Sequence, residues 1–180
     1  MKKQISLAVF VLTALMILIS PSFVMASEGK EAASSADIFM GQTPNPNVDR
    51  LRRFLAYYDS PLANYAPVFV EKASRYNLDW KLIPAITGVE STFGKAIPFN
   101  SYNAYGWANG EYSFRSWEES IEVVSKTLRE NYANRGADTV EKIAPIYAPP
   151  SQTWAGKVLY FMDKIENFAP NKTIALELSL

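Results

Sequence analysis

The chain has no cysteine and no histidine among its 180 residues. Without cysteine there can be no disulfide, no thiolate nucleophile and no cysteine-ligated metal. Without histidine, Ser-His-Asp and Cys-His catalysis and the usual zinc centres are excluded. Acid–base chemistry therefore falls to carboxylates, tyrosine or lysine, and catalysis by a carboxyl requires no metal or organic cofactor. A charge excess is missing too, since 18 basic residues face 18 acidic ones. Nucleic acid is not an expected partner, because phosphate backbones select a basic surplus. Internal repeats and coiled-coil heptads are also lacking. The length suits one domain with a real core rather than two.

There is one long apolar run, Ile5 to Ile19, with Lys2 and Lys3 before it and Val24-Met25-Ala26 after it. That is the pattern of a secretory signal cut before Ser27. Residues 1–26 are read as this signal, so the protein is expected to be secreted or associated with the cell wall. If the segment were retained it would act as a membrane anchor instead. Losing Lys2 and Lys3 leaves the acidic residues ahead by two. Residues 27–47, with Ala-Ala-Ser-Ser and Pro44-Asn-Pro46, read as a flexible linker. A single domain is expected over 48–170, then a short tail over 171–180.

Within the domain, apolar periodicity predicts a series of helices. Leu51, Phe54, Leu55 and Tyr58 share a face over Val48 to Tyr58. Asp59-Ser60-Pro61 breaks the chain, and a second helix runs through Val68 to Tyr76, with Pro67 in its first turn. Ser116 and Glu119 form a capping box that opens a helix to Tyr132, striped by Trp117, Ile121, Val124, Leu128 and Tyr132. A shorter helix covers Thr139 to Ile146. Ser151 or Thr153 caps a last one, striped by Trp154, Val158, Phe161, Ile165 and Phe168 and stopped by Pro170.

The chemistry concentrates in Leu78 to Trp107. Leu82, Ile86, Val89 and Phe93 recur at helical spacing and predict an amphipathic helix with one face to the core. Asp79 is the expected N-cap and Gly94 the expected terminator. Pro84 lacks a backbone N–H, so a bend or a late start is expected. Glu90 falls in the last turn, where the helix dipole disfavours an anion, a setting that suits a general acid. Gly106, Gly110 and the aromatics around them predict short strands or a hairpin beside a cleft.

The run Leu-Ile-Pro-Ala-Ile-Thr-Gly-Val-Glu-Ser-Thr-Phe-Gly, followed by Asn103-Ala-Tyr-Gly106, resembles the catalytic core of the lysozyme-like superfamily. The likeness spans roughly Asp49 to Phe168. It is strongest to the bacterial glucosaminidases (mannosyl-glycoprotein endo-β-N-acetylglucosaminidase-like domains), with soluble lytic transglycosylases second. The glucosaminidase pattern Asn-Leu-Phe-Gly-Ile matches Asn103 and Gly106. The transglycosylase pattern Gly-Leu-Met-Gln places its Gln at Asn109, where this chain departs. Phe-Arg-Ser-Trp-Glu-Glu-Ser-Ile and Leu-Arg-Glu-Asn-Tyr are also similar to the glucosaminidases.

The resemblance implies a mainly α, α+β lysozyme-like fold, a helical bundle around the Glu90 helix with a small β-hairpin lobe. It implies cleavage of the β-1,4 bond between N-acetylglucosamine and N-acetylmuramic acid in peptidoglycan glycan strands. Glu90 would be the catalytic acid and Tyr147, in Tyr-Ala-Pro-Pro, a cleft residue, though Tyr147 could equally just end a helix before prolines. Ser91, Asn103, Tyr105, Gly106, Trp107 and Asn109 are the expected substrate contacts, with Tyr105 and Trp107 alternatively packing the core. Glycosidases commonly use a second carboxylate, for which Glu111 is the candidate. If none lies opposite Glu90, the substrate's acetamido group or the 6-hydroxyl of muramic acid could be the nucleophile. The protein is expected to be monomeric. The rival expectation is a non-catalytic glycan-binding wall protein on the same fold.

Overall fold

A computed structural model of the chain describes residues 45–169. The expected signal, most of the linker, Pro170 and the tail lie outside them. The described part is mainly helical and holds no strand. None of its helices is long and apolar enough to cross a membrane.

The helix α1 spans Pro46–Tyr57 and starts two residues before the expected domain edge. Asn45 caps it by accepting from Asn47 N, and Pro46 occupies the first turn, where no N–H is needed. A 3₁₀ turn, Ala63–Tyr65, leads into α2, Ala66–Arg75. The central helix α3 is Leu82–Ser91. Then come α4, Trp117–Thr127, α5, Val140–Tyr147, and α6, Trp154–Glu166. Beyond α4 the winding loosens into a π turn, Leu128–Tyr132, and tightens into a 3₁₀ turn, Ala133–Arg135.

α3 packs against α6, α2 and α4, while α1 packs on α2 and α6, and α5 on α6. α3 is not the amphipathic surface helix its spacing predicts. Leu82, Ile83, Pro84, Ala85, Ile86 and Thr87 are all buried, so its first half is enclosed on every side. The buried Thr87 hydroxyl finds a partner in the Pro84 carbonyl at 2.7 Å. The awkward proline is resolved by a late start. Pro84 is the third helical residue, where a backbone N–H would have no intrahelical partner. Asp79 does not cap α3: its carboxylate accepts from Lys81 N in the turn before, and Lys81 is the cap residue.

Gly94 does not end α3 either. Thr92 and Phe93, both left-handed, turn the chain, and Phe93 N closes the helix on Thr87 O at 3.0 Å. Gly88 makes this possible, since a Cβ there would lie 2.6 Å from the Phe93 ring. Phe93 then meets Phe54, Tyr58 and Phe161 in an aromatic cluster that joins α1, α3 and α6. The reversal sends the chain back along the end of α3 as a long loop, residues 95–116.

The expected hairpin is absent among the described residues. Trp107–Gly110 is a 3₁₀ turn with left-handed Ala108 and Asn109, and no ladder flanks it. Side-chain bonds organise this loop in place of a ladder.

Candidate active site

Glu90 is the penultimate residue of α3 and is half-buried. Its carboxylate has two different sides. Oε1 accepts a hydrogen bond from Trp154 Nε1 at 2.6 Å. Oε2 faces Gly106, close enough that a Cβ on that residue would lie 2.7 Å away. Gly106 also has φ +67°, which a side chain rarely adopts, so conformation and close approach both call for glycine.

Two residues build the loop that carries Gly106. Asn103 is buried, and its amide is fully used. Oδ1 accepts from Trp107 N at 3.0 Å and Tyr105 N at 3.4 Å. Nδ2 donates to Trp107 O and Tyr112 O, each at 2.9 Å. Both amide protons and both acceptor directions are therefore spent on backbone, and none remains for a sugar. Ser91 is buried as well. Its hydroxyl lies 2.9 Å from Ala104 O and 3.0 Å from Thr87 O, sharing one proton between them, and accepts from Gly94 N at 2.9 Å. Both residues, expected as substrate contacts, instead bind the loop to itself and to the end of α3.

Tyr105 is wholly buried, packed edge-on to Phe114, so its side chain belongs to the core. Burial holds its hydroxyl well above the usual phenol range. That hydroxyl points toward Ser120, but Ser120 donates to Trp117 O and the Tyr105 oxygen has no hydrogen-bond partner. Trp107 is part-buried against Phe114. Glu111 is exposed at the end of the 3₁₀ turn.

Tyr147 ends α5 and donates from its hydroxyl to Tyr105 O at 2.7 Å. This bond holds the backbone one residue before Gly106. The Tyr147 ring stacks on Trp154, centroids 4.9 Å apart and planes 27° apart. Burial first, and then the negative charge of Glu90, raise the Tyr147 hydroxyl well above the ordinary phenol range. It is therefore a donor throughout the physiological range.

Two hollows meet over Gly106 and Asn109. One, of about 410 Å³, is lined by Glu90, Asn103 and the 96–98 segment. The other, of about 520 Å³, is lined by Trp107, Tyr132, Arg135, Ile146 and Tyr147 among others. Of the described residues lining either, Glu90 alone carries a carboxyl; Glu111 lines neither. Chemically, the site offers one carboxyl with a fixed oxygen and a free one, at the side of a groove walled by backbone, aromatics and amides.

No family model matches the chain, and no curated protein matches it.

Trp154 is the partner of Glu90 that sequence reasoning missed. Its place on the α6 stripe marks it as core, and it is indeed buried. The available signal was chemical: a buried indole carries an N–H that needs an acceptor, and uncommitted carboxylates are good ones.

Proposed function

We propose that the protein is a lysozyme-like glycosidase that cleaves the glycan strand of bacterial peptidoglycan, with Glu90 as general acid. The observation that carries this reading is the two-sided carboxyl of Glu90. Trp154 donates to Oε1, which leaves Oε2, beside the Gly106 that lines both hollows, as the proton-bearing side. The motif resemblance over Leu82 to Gly106 supports the same assignment. The proposed exported location follows from the N-terminal signal pattern.

With no second carboxyl among the described residues lining the groove, the nucleophile comes from the substrate. Glu90 gives its proton to the leaving glycosidic oxygen as the C1–O bond breaks. The substrate's acetamido oxygen, or the 6-hydroxyl of muramic acid, bonds to C1 from within the sugar. The Glu90 carboxylate then recovers a proton, either from the water that opens the cyclic intermediate or from the attacking hydroxyl. Tyr147 and Trp154 orient Glu90 and the Gly106 backbone through this cycle.

The test is mass spectrometry of peptidoglycan digested by the purified protein, beside a Glu90→Gln variant. The variant should lose roughly 10²–10⁴-fold in product release. A reducing N-acetylglucosamine end would identify a glucosaminidase, a 1,6-anhydromuramic end a lytic transglycosylase, and a reducing muramic end a muramidase. Glycan binding with no Glu90-dependent product would make the protein a wall-binding module instead.

A further inference from the structure

Among the described residues Arg135 is the only lysine or arginine lining either hollow, and its guanidinium makes no ion pair or hydrogen bond with any of them. The backbone beneath it is well defined. Gly136 N bonds to Ala133 O and Ala137 N to Tyr132 O, each at 3.0 Å, so the 3₁₀ turn after α4 closes firmly. Arg135 shares the hollow with Asn131, the part-buried Tyr132 and the exposed Ile146. This is an uncompensated planar cation, an amide and an apolar wall around about 520 Å³, joined over Gly106 to the hollow of Glu90.

Among the other described cations, Arg50, Arg53, Lys72, Arg75, Lys81, Arg115 and Lys142 are in ion pairs, and Arg129 donates to the carbonyls of Tyr76 and Asn77. Arg52, Lys95, Lys126, Lys157 and Lys164 line neither hollow. A guanidinium left open in a concave site suits a carboxylate, which it can bind through two parallel N–H donors. A neutral sugar would gain little from it.

We propose that Arg135 forms a carboxylate subsite, which makes the groove select anionic glycan over neutral glycan of the same length. The inference rests on the glycan-cleaving reading and deepens it by naming what the second hollow reads. Two carboxylates of one strand have this chemistry: the lactyl acid of muramic acid and the acids of its stem peptide. Ile146 and Tyr132 would flank the apolar part of either substituent.

The experiment measures binding in the full-length protein carrying Glu90→Gln, so that ligands are not consumed. Three ligands are titrated by calorimetry: chitotetraose, a peptide-free N-acetylglucosamine–N-acetylmuramic acid tetrasaccharide, and the same tetrasaccharide with stem peptides. The anionic ligands should bind about tenfold more tightly than chitotetraose at low salt. Adding Arg135→Gln should bring that ratio close to one, and Arg135→Lys should restore part of it. The advantage should shrink in 0.5 M salt, because the group is exposed. Preference for the peptide-free ligand assigns the lactyl acid, and preference for the peptide-bearing one assigns the stem. If all three ligands bind and Arg135→Gln changes none of their ratios, the subsite is wrong and the glycan reading stands. If none binds, both are wrong.

Discussion

Replacing Gly106 by alanine would put a methyl carbon 2.7 Å from Glu90 Oε2 on a backbone at φ +67°. The left-handed conformation costs a residue with a Cβ about 1–2 kcal/mol. Gly106 is exposed, so the fold should survive that cost. The acid, however, must move, and we expect product release to fall roughly 100-fold or more. Thermal melts run beside the digest separate the two effects, and full activity in Gly106→Ala would contradict the assignment of Oε2 as the proton-bearing side. At this scale the nearness of Glu90, Gly106 and Tyr147 to one another was legible from motif and position. The true partners of Asn103 and Ser91 were not. Their bonds go to backbone atoms brought together by a left-handed reversal, and spacing along the chain carries no trace of such contacts.

Among the elements, the 95–116 loop depends on Asn103 in place of a strand ladder. Its four side-chain bonds distinguish oxygen from nitrogen, which gives a sharp prediction. Asn103→Asp keeps the size and one acceptor but turns an oxygen toward the carbonyls of Trp107 and Tyr112. It should therefore be no milder than Asn103→Ala, each costing about 2–4 kcal/mol in urea denaturation, as buried groups left unpaired do. A mild Asn103→Asp would show that the loop is held by packing instead. The helices themselves were largely readable. α1, α2, α4, α5 and α6 each bury one stripe against the rest, so periodicity found them. α3 was misread because a helix surrounded by others has no polar face to set the period. The hairpin was misread because glycine and aromatics mark any tight turn around an apolar anchor, here Trp107 and Tyr112 on Phe114.

For the molecule as a whole, stability should fall at both ends of the pH scale for different reasons. Glu166 is lowered chiefly by its bond from Lys81, and Glu122 chiefly by its bond from Tyr76. Their contribution is complete above the ordinary value of 4.5 and is lost as pH drops below it. Tyr105 and Tyr147 are raised by burial, so their contribution is complete below the ordinary value of 10.0 and is lost as pH climbs past it. Tyr105→Phe removes a buried hydroxyl that has no partner, and it should match or exceed the wild-type melting temperature at pH 8. It should also fall less steeply between pH 9.5 and about 11. A variant that melts well below wild type at pH 8 would mean that the hydroxyl is satisfied after all. The π turn Leu128–Tyr132 has a longer reach. A π turn is an α-helical turn with one extra residue, so whatever follows it is rotated by about a third of a turn. Arg135 follows that turn, so its place on the larger hollow depends on the one surplus residue. Deleting a single codon there should restore a plain helix and swing the guanidinium away, while α3 and Glu90, which precede the turn, keep their places. On the proposed reading, glycan preference would then shift through one small deletion that leaves Glu90 untouched.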